Sequence, residues 1–203
     1  RKGYAEVLAA VDTTTTILMG HARWRTQGSE KNNANNHPLV LEALGNGRDA
    51  HALLVTHNGH ISNAESLFRR FHFPRQAQVD SEILAHFAAA AATPDGWGMN
   101  DLRRRLALCR GTMSAVMAST ALPKTVLIAK GNKPLIFFHS RRCRAIAYAS
   151  DISFLLRALE DEPGWDELRV PPMTLAAFDC ERLTDFRQEL FALGFPTVGG
   201  RRS

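Results

Sequence analysis

The sequence predicts an α+β layered domain with two largely antiparallel sheets, and three observations lead there. Helical periodicity is concentrated in the first half of the chain, whereas from Thr112 onward the pattern turns to short strands. Those strands are separated by turn chemistry at Pro123, Gly131-Asn132 and Ser140-Arg141, the spacing of an antiparallel meander. No internal repeat or linker divides the 203 residues, a length that fits one sizeable domain with a real core or at most two small ones.

Taken in order, Tyr4 to Ala10 reads as a short helix, followed by the threonine run Thr13 to Thr16 and a strand over Ile17 to Ala22. Residues 25–38 carry Gly, Ser and four asparagines with almost no apolar side chain. A polar loop of that length inside a domain points to function. Val40 to Leu44 fits a short helix or a strand, closed by Gly45-Asn46-Gly47. Ala52 to Thr56 is a buried strand running into His57-Asn58-Gly59-His60. Asn-Gly after a strand signals a hairpin turn, because both residues tolerate positive φ. The next segment, Ser62 to Phe68, reads instead as a helix, with Ser62 as N-cap and Glu65 completing a capping box.

Val79 to Ile83 opens a further helix to about Ala92, with Asp80 placed to cap it and favour the N-terminal dipole. Thr93-Pro94-Asp95-Gly96 ends that helix, and Met99 to Cys109 is another amphipathic one. The strands of the second half fall at Thr112–Ser119, Thr125–Ala129, Leu135–Phe138 and Arg144–Ala149. Ser150-Asp151 caps a helix through Leu159, and Met173–Phe178 with Arg182–Phe186 form a last hairpin-like pair. The Gly- and Arg-rich tail beyond Leu193 reads as loose.

Composition narrows the function classes. Hydrophobic content of 45% and charged content of 22% are ordinary for a globular protein. The net charge of +5 is mild and its arginines are scattered in short runs, which argues against a nucleic-acid partner. Three cysteines without a CxxC pair point to a reducing compartment, and no run approaches the ~18–20 apolar residues of a membrane span. Neither a membrane nor a signal peptide is indicated, so the cytoplasm is the expected location. A metal-hydrolase reading of the eight histidines is weak: His57 and His60 are spaced for a ligand pair, but no His-Glu-x-x-His accompanies them.

Gly20-His21-Ala22-Arg23-Trp24-Arg25-Thr26-Gln27-Gly28 carries the strongest chemical signal. A guanidinium can hold a carboxylate by two parallel hydrogen bonds, while an indole walls off water. This stretch is followed, in order, by Asn36-His37-Pro38, His57-Asn58-Gly59 and Asp80-Ser81-Glu82. The ordered set closely resembles the glutaminase domain of class II glutamine amidotransferases, of which glucosamine-6-phosphate synthase and amidophosphoribosyltransferase are members. Leu127 to Leu135 and Ala149-Ser150-Asp151 also look like that family's sheet and helix, so the resemblance covers residues 1 to about 187.

The resemblance implies the four-layer αββα sandwich of N-terminal nucleophile hydrolases over residues 1–190, followed by a loose tail over 191–203. It implies hydrolysis of L-glutamine through a cysteinyl thioester, without a cofactor or metal, and delivery of ammonia to a synthase domain or subunit. Carried over by motif, Arg23 holds the substrate α-carboxylate and Asp80 receives its α-ammonium. Trp24 and Thr26 belong to a loop folding over the substrate, with Gln27 where many members have His, and His37 organises that loop. Asn58, by its side-chain amide, and Gly59, by its backbone N–H, supply the oxyanion hole. These roles make physical sense, since a glutamine zwitterion needs one cation and one anion, and donors aimed at a developing oxyanion are worth ~3–4 kcal/mol.

The family nucleophile is a cysteine at the mature N-terminus whose own amine is the base. Here residue 1 is arginine, and Cys109, Cys143 and Cys180 all read as structural. The expectation is therefore a domain whose nucleophile and first strands are missing from the sequence, inactive as written. The alternative is an inactive relative that binds glutamine or holds a complex together.

Overall fold

The computed structural model describes residues 2–21, 32–45, 48–93, 95–183 and 186–194. The first helix, α1 (Lys2–Ala9), is followed by an irregular segment, and a 3-10 turn over Asn33–Asn35 leads into strand β1 (Leu39–Gly45). Strand β2 (Arg48–Ile61), helices α2 (Ala64–Phe71) and α3 (Glu82–Ala91), the small hairpin β3 (Ala92–Thr93)/β4 (Gly96–Trp97) and helix α4 (Met99–Leu106) complete the first half. The second half contains β5 (Gly111–Ser119), β6 (Thr125–Lys130), β7 (Ile136–Ser140), β8 (Ala145–Ala149) and α5 (Ile152–Ala158). It closes with β9 (Asp166–Leu168), β10 (Thr174–Asp179) and β11 (Phe186–Leu190).

Six strands form one antiparallel sheet in the order β1-β2-β5-β6-β10-β11, and a second sheet runs β8-β7-β9. Strand β5 lies inside the large sheet and is buried from Met113 to Ser119 without interruption, as expected of a strand covered on both faces. On one face Leu53, Val55, Met113 and Leu127 pack beneath Ile83, Leu84 and Phe87 of α3, with Leu67 of α2 and Leu102 of α4. Helix α3 is apolar all round (EILAHFAAAA) and rich in strong helix formers, so it suits a helix enclosed by sheet and neighbouring helices. On the other face Val116, Ile128, Ala176 and Phe178 meet Phe137, Tyr148 and Leu168 of the smaller sheet. Helix α5 covers that sheet from outside, through β8. The layers are thus helix, sheet, sheet, helix: the αββα sandwich.

Several sequence expectations are corrected. Residues 17–21 form no strand, and Val40 to Leu44 settles as strand, paired with β2 from Leu39↔Val55 onward. Asn58-Gly59 makes no turn: β2 is 14 residues long and carries both residues within its ladder, opposite Ser114 and Met113. Ser62 does not cap α2, because its hydroxyl donates to the Arg110 carbonyl, and Glu65 pairs with Arg75. Asn63 takes the cap position, its amide bridging to the α4–β5 connection at Leu108 and Arg110. The meander breaks after β6, whose second neighbour is β10 while β7 starts the other sheet. The last hairpin forms with its second strand at Phe186–Leu190, later in sequence than expected. The Asp151 cap of α5 is present, accepting from the Ser153 N–H at 2.8 Å. Residues 195–203 lie outside the described residues, as do Asn46 and Gly47.

Candidate functional site

A cleft of about 520 Å³ opens where β2 and β5 of the large sheet meet the 131–135 loop and the β8–α5 junction. Thr56, His57, Asn58, Gly59 and His60 of β2 line it, with Asp80 and Ser81 before α3 and His21 and His37 at its rim. Of the sequence-derived site residues, Asn58, Gly59, Asp80 and His37 therefore converge on one cavity. Arg23, Trp24, Thr26 and Gln27 lie outside the described residues. The His37 ring packs edge-on against His21, with centroids 4.6 Å apart.

Asp80 is 5% exposed, and its fixing point is unexpected. Its side chain does not cap α3, the role the sequence suggested. Oδ2 instead accepts the backbone N–H of Ile61 at 2.6 Å, tying the carboxylate to the end of β2. A hydrogen bond from a buried N–H to a carboxylate is among the stronger kinds, so the position of this charge is well determined. His60 Nδ1 lies 3.4 Å from the same oxygen. The next residue, Ser81, places its hydroxyl 2.9 Å from Nδ1 of His57, which is itself buried. Glu82, with no exposed surface, accepts the backbone N–H groups of Gln76 and Ala77 and pairs with Arg75.

Burial pushes the His57 pKa below its ordinary value, because a desolvated imidazolium is disfavoured. The charge of Asp80 and the backbone carbonyl of Thr112 oppose that shift, while His21 and His60 add to it. Burial likewise raises the Tyr148 phenol.

Asn58 sits opposite Ser114 in the β2–β5 ladder, and its amide donates to the Pro134 carbonyl at 3.2 Å. That carbonyl belongs to a loop latched onto β5. The Ser114 hydroxyl donates to the Lys133 carbonyl at 2.6 Å and accepts from the Gly131 N–H, while Asn132 accepts from the Met113 N–H. Gly59 has φ +141°, and a Cβ there would lie 2.1 Å from the Thr112 carbonyl oxygen. Only glycine fits this close strand approach.

Sequence reasoning missed Ser81, Ser114 and Tyr148 as parts of the site. Ser81 had a signal, lying between Asp80 and Glu82; Ser114 and Tyr148 had none, since each reaches the cleft only through strand pairing. Among the described residues no three His, Cys, Asp or Glu side chains are grouped to hold an ion. Likewise, among those residues no helix is long and apolar enough to cross a membrane. Cys109 is buried and its thiol is pushed up to about 12 by that burial, and none of the three cysteines lines the cleft.

No family model matches the chain. It is 24% identical over 180 residues to the glutamine–fructose-6-phosphate aminotransferase (isomerizing) of Helicobacter pylori, covering 85% of this chain and 28% of that protein. The protein of the same name from Pyrococcus horikoshii is 32% identical over 124 residues, covering 59% and 19% respectively. Among solved structures, glutamine phosphoribosylpyrophosphate amidotransferase from B. subtilis superposes with a TM-score of 0.61 at 22% identity. That match covers 85% of this chain and 34% of the other. The resemblance to class II glutamine amidotransferases holds, and the fold is their N-terminal nucleophile hydrolase sandwich. The matches span between 19% and 34% of the length of each of these proteins.

Proposed function

We propose that residues 1–190 form a class II glutaminase domain that, in its complete protein, hydrolyses L-glutamine and passes ammonia to a synthase domain or subunit. The observation that carries this reading is the convergence of Asp80, Asn58 and Gly59 on one cleft, with Asp80 anchored through Ile61. A buried carboxylate with one oxygen committed to the backbone keeps its second oxygen for a ligand cation, which suits an α-ammonium. Arg23 would hold the α-carboxylate at the other end of the zwitterion, beneath a cover formed by Trp24, Thr26 and Gln27, with His37 bracing that cover.

The side-chain amide of Asn58 has two N–H donors, and the Pro134 carbonyl takes one. The other is left for the substrate. With the Gly59 N–H it would stabilise the oxyanion formed when a thiolate attacks the glutamine amide. Cys109 is too deeply buried for that thiolate, and Cys143 and Cys180 lie away from the cleft. The proton that the nucleophilic cysteine's own amine takes from the thiol passes to the amide nitrogen. Collapse of the tetrahedral adduct then expels ammonia and leaves a glutamyl thioester, which water hydrolyses to glutamate with return of the thiol.

The test is glutamate release from L-glutamine by the full-length protein, paired with calorimetry. Asp80→Ala should weaken glutamine binding by about 10- to 100-fold with the fold intact. Unchanged affinity would remove Asp80 from the site. Asn58→Ala should lower kcat by about 100-fold or more while leaving KM nearly unchanged. Binding of glutamine with no release of glutamate would make the chain a glutamine-binding relative instead.

A further inference from the structure

His60 lies beside the carboxylate proposed to receive the ammonium. Its Nδ1 is 3.4 Å from Asp80 Oδ2, and it lines the same cleft. Asp80 is shielded, at 6% side-chain exposure, whereas His60 is 46% exposed and within reach of solvent protons. The other groups facing this point are of a different kind. His57 is buried and held by Ser81, Glu82 is turned to the 75–77 loop, and the His21 and His37 rings meet edge-on. Lys133 also lines the cleft.

We propose that His60 is a specificity-determining residue whose protonation competes with the substrate ammonium for Asp80, so that amine recognition weakens as pH falls. The inference rests on the assignment of Asp80 to the α-ammonium. Its physical basis is a charge count. A single carboxylate, already accepting one backbone N–H, offers one negative charge to two cations a few ångströms apart. Histidine is the side chain whose charge changes between pH 5 and 8. Neutral His60 leaves Asp80 to the ligand, and imidazolium offsets its charge and repels the incoming ammonium. A ligand without the amine escapes this penalty, so protonation also narrows the preference for α-amino amides.

The experiment is calorimetric titration of the chain with L-glutamine and with glutaramic acid, its analogue lacking the α-amine, at pH 8.0 and 5.5. In the wild type, glutamine affinity should fall by about 5-fold more than that of glutaramic acid between the two pH values. In His60→Asn the two ligands should show the same pH dependence. An unchanged difference in that variant would overturn the proposal, as would equal pH dependence in the wild type. Should His60→Asn fail to fold, wild-type titrations at pH 6 in two buffers of different ionisation enthalpy decide the matter. Net proton release with glutamine but not with glutaramic acid supports the role, and equal proton exchange with both overturns it. Failure of glutamine to bind even at pH 8.0 would instead defeat the assignment of the site, and this inference with it.

Discussion

The two faces of the large sheet are packed very differently. Beneath α2, α3 and α4 lies an extensive core in which Leu53, Ile83, Leu84, Phe87, Leu102 and Met113 are wholly enclosed. The face toward the smaller sheet has a thin apolar layer centred on Phe137 and Phe178, backed by β8, which is only half-buried along its length. Helix α5, outside that sheet, buries Leu155 and exposes Ile152, Phe154 and Leu156. The candidate site draws on both regions. Asp80, Ser81 and His57 hang from the deeply packed side, whereas Leu135 and Tyr148 come from the thinner one. Asp80, Ser81 and His57 are thus attached where the packing resists movement most.

Truncations should expose this contrast most strongly. Leu84→Ala should cost about 3–5 kcal/mol in denaturant unfolding, the range for a fully enclosed leucine whose cavity cannot collapse. Leu155→Ala should fall at or below the low end, about 2 kcal/mol, because its surroundings on α5 are free to close in. Equal losses would mean that the outer layer is as firmly packed as the core.

A smaller effect concerns pH. His57 has its pKa lowered in the folded state, so below its ordinary value of 6.5 the unfolded chain binds a proton that the folded chain excludes. The resulting penalty is absent well above pH 6.5 and grows as pH falls below it, at up to about 1.4 kcal/mol per pH unit. His57→Gln should flatten that part of the stability–pH curve. If wild type and variant run parallel from pH 7.5 to 5.5, burial is not governing His57.

The mildest probe leaves the sequence untouched. Cys143 is exposed and Cys109 enclosed with its thiol pushed up to about 12, so a maleimide should label the first within minutes and spare the second in the native state. Labelling of Cys109 at a comparable rate would show that the helix-side core opens readily.

Much of this was legible in the sequence where the information is local. The turn residues between β5 and β8 and the apolar run of α3 marked their elements within a few residues. The ordered Asn-Gly and Asp-Ser-Glu motifs fall on one cavity. What could not be read depends on partners distant in the chain. Asn58-Gly59 has the composition of a turn, and only the ladder with β5 keeps it extended. Ser62 has the composition of an N-cap, but Arg110 offered its hydroxyl another partner. Ile17 to His21 has strand-forming residues and no ladder to join, since β1, not this segment, forms the edge beside β2.

Asp80, Ser81 and Glu82 are consecutive, yet each addresses a different neighbour: the end of β2, the ring of His57, and the 75–77 loop. Such a triplet reads its own register. Inserting or deleting one residue just before it would turn every side chain by about 100° about the helix axis and dislodge all three attachments at once. Point substitutions here fail singly, whereas length changes fail together. The connection between α2 and α3 is therefore free to vary in composition far more than in length where it meets α3.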